Sequence, residues 1–129
     1  MRFHCIAIYR SSLEKIIEDF EYCKVTFEHH GDFQTVSALN VNILEATVKE
    51  ALTNTAKYAE AKHVQIRIDI GKRHLRLFYK DDGKGCESIH ESLGILGMRE
   101  RVRNVGGTVS IDGKEGFLIV CHLPITSDA

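Results

Sequence analysis

An asparagine inside a long helical pattern is the first residue in this chain whose type asks for a chemical reason. Asn54 lies within the run from Leu39 to Ala59, where its side chain competes for backbone hydrogen bonds and lowers helix propensity. At about 100° per residue, Glu50, Asn54 and Lys57 fall within roughly 60° of one another and make one polar stripe. Leu44, Val48, Ala51, Leu52 and Ala59 fall on the other side, as they should if the helix covers a sheet with one face and lines a cleft with the other. A polar row at this spacing also suits a solvated face, so periodicity alone leaves both readings open.

Two glycine-bearing stretches add to it. DDGKG, Asp81 to Gly85, directly follows a strand-like run; Asp81 offers a carboxylate acceptor at the strand end, and glycines there permit positive φ and a close approach to the backbone. GILG, Gly94 to Gly97, opens a helix, where free N–H groups and the helix dipole favour phosphate. Taken singly, the first could be a common turn and the second an ordinary helix start.

The elements that must position these groups are legible from period and punctuation. Ser11 and Glu14 make a capping-box pattern ahead of Leu13, Ile16, Ile17 and Phe20, predicting a short amphipathic helix over about 11–22. KVTFEH, Lys24 to His29, alternates as a half-buried strand does. After the long helix, VQIRIDI and HLRLFYK read as a hairpin joined at Gly71-Lys72. Met98 to Val105 reads as a helix closed by Gly106-Gly107, and TVSID and FLIVCHL, separated by GKEG, read as a second hairpin. Hairpins with helices between them predict an α+β sandwich, a mixed sheet with helices on one face, and no repeated parallel βαβ pattern is evident.

Composition narrows the function classes. A length of 129 residues fits one domain and a proper core. With a formal net charge of −1, no basic excess points to nucleic acid. Cys5, Cys23, Cys86 and Cys121 lack zinc-ligand spacing and read as reduced thiols of a cytoplasmic protein. The start, MRFHCIAIYRSS, has no small-residue cleavage site and is too short to span a bilayer, so a membrane segment, if the domain serves a membrane-anchored sensor, is expected elsewhere.

In this order and spacing the features resemble the GHKL ATPases and, most closely, the ATP-binding catalytic domain of two-component sensor histidine kinases with short ATP lids. EALTNTAKYA is similar to the asparagine box, DDGKG to the first glycine box, and GILGMRERV followed by GG to the second; the resemblance covers about residues 24–125. Glycine-rich loops of Walker or Rossmann type are absent. The resemblance implies a Bergerat-type, two-layer α+β sandwich over 24–129, preceded by an N-terminal segment, 1–23, that ends a preceding helix. It further implies that Asn54 binds Mg²⁺ between the ATP phosphates and that Asp81 accepts a hydrogen bond from the adenine amino group. Gly83, Gly85, Gly94 and Gly97 would shape the phosphate and lid region, with Cys86 to Leu93 as the lid. Lys57 would meet a phosphate as a mobile point charge. Glu50 matches the acidic position that aids proton removal or positions water and metal, or else supports an acid beside the acceptor histidine.

The implied reaction is transfer of the ATP γ-phosphoryl to a histidine on a dimerisation hairpin outside this chain, with a response regulator downstream and no nucleic acid or membrane contact by this domain. An anti-sigma-factor-like serine kinase and a non-catalytic nucleotide-binding module are the alternatives. Only His90 is followed by an acid, Glu91, and it falls in the expected lid; His4, His29, His30, His63, His74 and His122 suit structural or exposed places. Two departures stand out. Tyr58 replaces the histidine that usually ends the asparagine box, and Phe117 follows Gly116 where the family commonly has threonine, which implies a missing hydroxyl near the nucleotide.

Overall fold

The computed structural model describes residues 12–84 and 93–125. Helix α1 covers 12–18. Strand β1 follows (Lys24–His30), then a 3₁₀ turn (Phe33–Thr35), helix α2 (Ala38–Asn54) with a π-helical turn at its end (Thr55–Ala59), strands β2 (His63–Ile70) and β3 (His74–Asp81), helix α3 (Leu93–Asn104), and strands β4 (Thr108–Asp112) and β5 (Leu118–Pro124). The five strands lie in the order β1-β2-β3-β5-β4. β1 runs parallel to β2, with α2 as the crossover, and the other three pairings are antiparallel.

Alternation decides which side of the sheet carries the helices. On β2, Val64, Ile66 and Ile68 are buried while Gln65 and Arg67 are exposed; on β5, Ile119, Cys121 and Leu123 are buried while His122 is exposed. The buried faces meet Leu44, Val48, Ala51 and Leu52 of α2 and Met98 and Val102 of α3 in one core. Fully burying a side chain of this size contributes roughly 1.5–3 kcal/mol, which is why one face of each element suffices to fix the layers. The architecture is the predicted two-layer sandwich. On β3 the same period of two buries Leu75, Leu77 and Tyr79, and it carries Asp81 inward as well. A carboxylate is thus delivered to the core side by strand geometry alone.

The helix ends are locked by local chemistry. Ser37 caps α2 by accepting from the Asn40 amide at 3.1 Å, and the Asn40 side-chain amide donates to the Pro124 carbonyl at 3.1 Å, tying the start of α2 to the end of β5. At the end of α3, Gly106 takes φ +79°, its N–H bonds the Arg103 carbonyl and that of Gly107 bonds the Val102 carbonyl, both at 2.9 Å. That is the Schellman closure predicted for the Gly-Gly pair.

Three boundaries differ from expectation. The expected continuous helix over 39–59 is α-helical only to Asn54, where it widens into the π turn and ends at Glu60 in the left-handed region. Helix α3 begins at Leu93 instead of Met98, so Gly94 and Gly97 lie inside it; the buried Ile95 and Met98 supply packing that offsets the glycines' poor propensity. The N-terminal helix stops at residue 18, yet Leu13 is buried in the common core and Ile16, Ile17 and Phe20 pack against it.

Candidate functional site

Asp81 is held tightly among the described residues. It has no exposed surface, and its carboxylate accepts three hydrogen bonds: Oδ1 from the amides of Gly83 at 3.0 Å and Phe117 at 3.1 Å, and Oδ2 from the Thr55 hydroxyl at 2.7 Å. The backbone seals the same corner, because the Asp81 amide donates to the Phe117 carbonyl at 3.0 Å. A buried carboxylate is tolerable only when its lone pairs are met by donors, and here three segments supply them. A group outside the protein can bond Oδ2 only as the atoms packed over it give way.

Gly116 lets β5 pack closely against this corner. It sits at φ +87°, and a Cβ there would collide with the Asp81 carbonyl and lie 2.6 Å from Oδ1. The step into β5 therefore needs glycine for both conformation and space. Phe117, predicted as a liability for its missing hydroxyl, meets Asp81 through its amide while its ring is buried in the core. A hydroxyl reaches the carboxylate all the same, from Thr55 on the opposite side.

Behind Thr55 stands Tyr79, its hydroxyl 2.5 Å from Thr55 Oγ1. Burial, outweighing the Thr55 hydrogen bond and aided by the nearby Asp81 charge, pushes the Tyr79 phenol well above its ordinary range, so it stays protonated. Cys23 lies near this corner, its thiol pushed up by burial and by the carboxylates of Asp82 and Asp81. Sequence reasoning singled out neither Thr55 nor Tyr79. The alternation that buried Asp81 also buries Tyr79, whose hydroxyl then needs a partner; that signal was available.

The next residue has an opposite task. Asp82 is exposed and accepts from the amides of Lys62 at 2.8 Å and His63 at 3.0 Å, which hold its carboxyl below the ordinary range, the His63 amide most. It clamps the end of β3 to the start of β2, so consecutive aspartates fix the strand end from both sides.

The remaining predicted residues gather around α2 and α3. Asn54, the last α-helical residue of α2, is buried. Glu50, one turn earlier, is half-buried, and a methyl at Gly94 would collide with its carboxylate; the missing Cβ is what lets α3 begin against Glu50. Gly97 meets only the flexible tip of Arg101. Gly83 contributes through its amide to Asp81 and does not use the positive φ that glycine permits. Lys57 falls within the π turn, where rotation per residue is no longer that of an α-helix, and it lines a groove between α1 and α2 with Lys15, Asp19, Glu45, Lys49 and Thr53. Glu50 and Asn54 are not in that wall. Gly85 and residues 86–92 of the expected lid lie outside the described residues.

As to a metal, Asn54 offers one hard amide oxygen, and among the described residues no group of three or more His, Cys, Asp or Glu could hold an ion. One protein oxygen completed by substrate phosphates and water is a donor set that suits Mg²⁺. Among the described residues, no helix is long and apolar enough to cross a membrane.

Known proteins resemble the chain in sequence and in fold. The chain is 34% identical over 125 residues to the signal transduction histidine-protein kinase/phosphatase DegS of Brevibacillus brevis, covering 91% of this chain and 32% of that protein. It is 36% identical over 97 residues to the sensor histidine kinase DesK of Bacillus subtilis, covering 73% and 26%. The chain thus spans about a third or less of these relatives' length. In fold it resembles the histidine kinase domain of a blue-light-activated kinase from Erythrobacter litoralis, with a TM-score of 0.73 at 22% identity over 92% of this chain and 60% of that one. The ATP-binding domain of PrrB from Mycobacterium tuberculosis gives a TM-score of 0.69 at 18% identity, over 95% of both chains. The family model described as histidine kinase-, DNA gyrase B- and HSP90-like ATPase matches residues 40–127, from the first turn of α2 through β5, and it is to this family that the chain belongs.

Proposed function

We propose that this chain is the ATP-binding catalytic unit of a sensor histidine kinase, presenting the γ-phosphoryl of Mg·ATP to a histidine on a dimerisation hairpin carried outside it. The observation that supports the reading best is Asp81: a buried carboxylate at the end of a strand, on the helix side of the sheet and hydrogen-bonded to Thr55, the residue after Asn54. In this reading Asp81 selects adenine, Asn54 contributes an oxygen to Mg²⁺, and Gly94 and Gly97 let the first turns of α3 lie close to Glu50 and to the Arg101 guanidinium, where phosphate would be met. The Mg²⁺ ion, when bound, neutralises charge on the β- and γ-phosphates. Glu50 positions water or receives a proton beside the start of α3, and Lys57, from the wall of the α1–α2 groove, reaches a phosphate only by the length of its mobile side chain. The chain's own part in the reaction is positioning and charge balance, which is most of what phosphoryl transfer asks of a protein. The partners are ATP and ADP, the acceptor hairpin and, through it, a response regulator, on the cytoplasmic side where ATP is available.

Calorimetry tests the site assignment. Asp81→Asn keeps an oxygen for the two amides but places an amide donor beside the base. Loss of one hydrogen bond to a charged acceptor corresponds to about 10–100-fold weaker ADP and ATP binding. Asn54→Ala should lose chiefly the Mg²⁺-dependent part of ATP affinity. Absence of adenine nucleotide binding by the folded wild type would defeat the reading. Supplying a kinase-derived helical hairpin, or a small serine-bearing protein, with labelled ATP then separates histidine transfer from serine transfer.

A further inference from the structure

The three hydrogen bonds on Asp81 leave its chemistry narrowly defined. A carboxylate oxygen has about two lone-pair sites, so among the described residues two amides fill Oδ1 and one site on Oδ2 receives no donor. Which way that site points depends on where the Thr55 hydroxyl holds the other lone pair. Thr55 has a single proton and gives it to Asp81, so the proton in the 2.5 Å contact between Thr55 and Tyr79 is the phenol's. The hydroxyls therefore run one way, Tyr79 to Thr55 to Asp81. Chains of this kind polarise one another and are strong inside a protein, where water does not compete. Thr55 and Asp81 are without exposed surface and Tyr79 is 1% exposed.

The backbone holds the middle of the chain in place. Thr55 is the first residue of the π turn, and its amide is shared between the carbonyls of Ala51 and Leu52. Single π turns often mark functional positions in helices. Here the widened turn follows Asn54 directly, so neighbouring residues serve two ends of one ligand: Asn54 the metal and phosphates, Thr55 the base through Asp81.

We propose that Thr55 and Tyr79 are positioning residues that aim the one free acceptor site of Asp81, and that this relay sets the preference of the pocket for purines bearing an exocyclic amino group. Neither side chain needs to touch the nucleotide. The inference rests on Asp81 reading the base, and the test separates the two claims.

The probes are ATP, purine riboside triphosphate, which lacks the 6-amino group, and inosine triphosphate, which carries a 6-oxo group, each titrated into the 129-residue chain by calorimetry. Wild type should favour ATP over both analogues by about tenfold or more. Thr55→Val, which keeps the shape and removes the hydroxyl, should weaken ATP by about 3–10-fold and leave purine riboside triphosphate unchanged, so that discrimination collapses. Thr55→Ser should restore it. Tyr79→Phe removes only the first donor and should lower the ATP preference by about 2–3-fold with little loss of fold. A structural role alone would weaken all three nucleotides together, and that result, or unchanged discrimination in both Thr55→Val and Tyr79→Phe, overturns the relay while leaving the reading of Asp81 intact. A wild type that binds ATP no better than purine riboside triphosphate overturns both.

Discussion

Two carboxylates bracket the C-terminal half of α2, and they are held very differently. Asp81 is fully buried, receives three hydrogen bonds from residues up to 36 positions away, and forces glycine at 116. Glu50 is half-buried on the surface of α2 and rests where Gly94 lacks a side chain. One end of the proposed site is built into the fold; the other rests on the end of a flexible side chain. That division suits a ligand whose base must be recognised once and whose phosphates must be rearranged in each turnover.

The contrast is sharpest in stability. Asp81→Ala strands a buried amide, a part-buried amide and a buried hydroxyl, and at about 1–3 kcal/mol for each unsatisfied donor the loss should be on the order of 3–9 kcal/mol, a large part of a domain's stability. Chemical denaturation of Asp81→Ala beside Asp81→Asn checks it: a small loss in the alanine variant would mean that the corner is less tightly built than its hydrogen bonds imply.

Glycine substitutions probe the same difference at lower energy. Gly116→Ala places a side chain at a positive φ against the Asp81 backbone and should cost about 1–3 kcal/mol. Gly94→Ala meets only the movable end of Glu50, and within a helix the added methyl should leave stability unchanged or raise it by up to about 1 kcal/mol. Its expected effect is functional, a fall in Mg·ATP affinity or transfer as Glu50 is displaced. Equal melting temperatures for the two variants would erase the distinction between a built end and an adjustable one.

The smallest effect belongs to Asp82. Its folded carboxyl lies below the unfolded value of 3.8, so it adds stability above that pH and loses the contribution as pH falls through the folded value. Asp82→Asn should therefore melt slightly below wild type at neutral pH, and the gap should narrow as the pH falls below 3.8. A gap that persists in acid would mean that Asp82 acts by shape and not by charge.

Much of this was legible in the residue pattern, for reasons that can be named. Period two fixed the inward faces of β2, β3 and β5, and with them the burial of Asp81; Gly106-Gly107 announced its own cap. The π turn left no trace in hydrophobic spacing, so the stripe drawn through Glu50, Asn54 and Lys57 holds only as far as Asn54. Thr55 was hidden for a related reason: a small β-branched residue beside a conspicuous asparagine reads as filler until three dimensions place it against Asp81. Phe117 misled because the expectation concerned its side chain, whereas its contribution comes from the amide that any residue but proline would offer.

The hydrogen bonds on Asp81 also bear on the order in which the molecule comes together. Its donors come from the end of α2, the turn after β3 and the entry to β5, so a chain that has formed the β2–β3 hairpin but not yet docked β5 carries the carboxylate without one of its amides and without the Gly116 corner. Contacts of such sequence separation are late rewards in folding, since loop closure must precede them. On a ribosome the hydrogen-bonded corner around Asp81 is complete only after Phe117 has emerged, and if nucleotide binds there as proposed, adding it to a refolding chain should slow unfolding far more than it speeds folding.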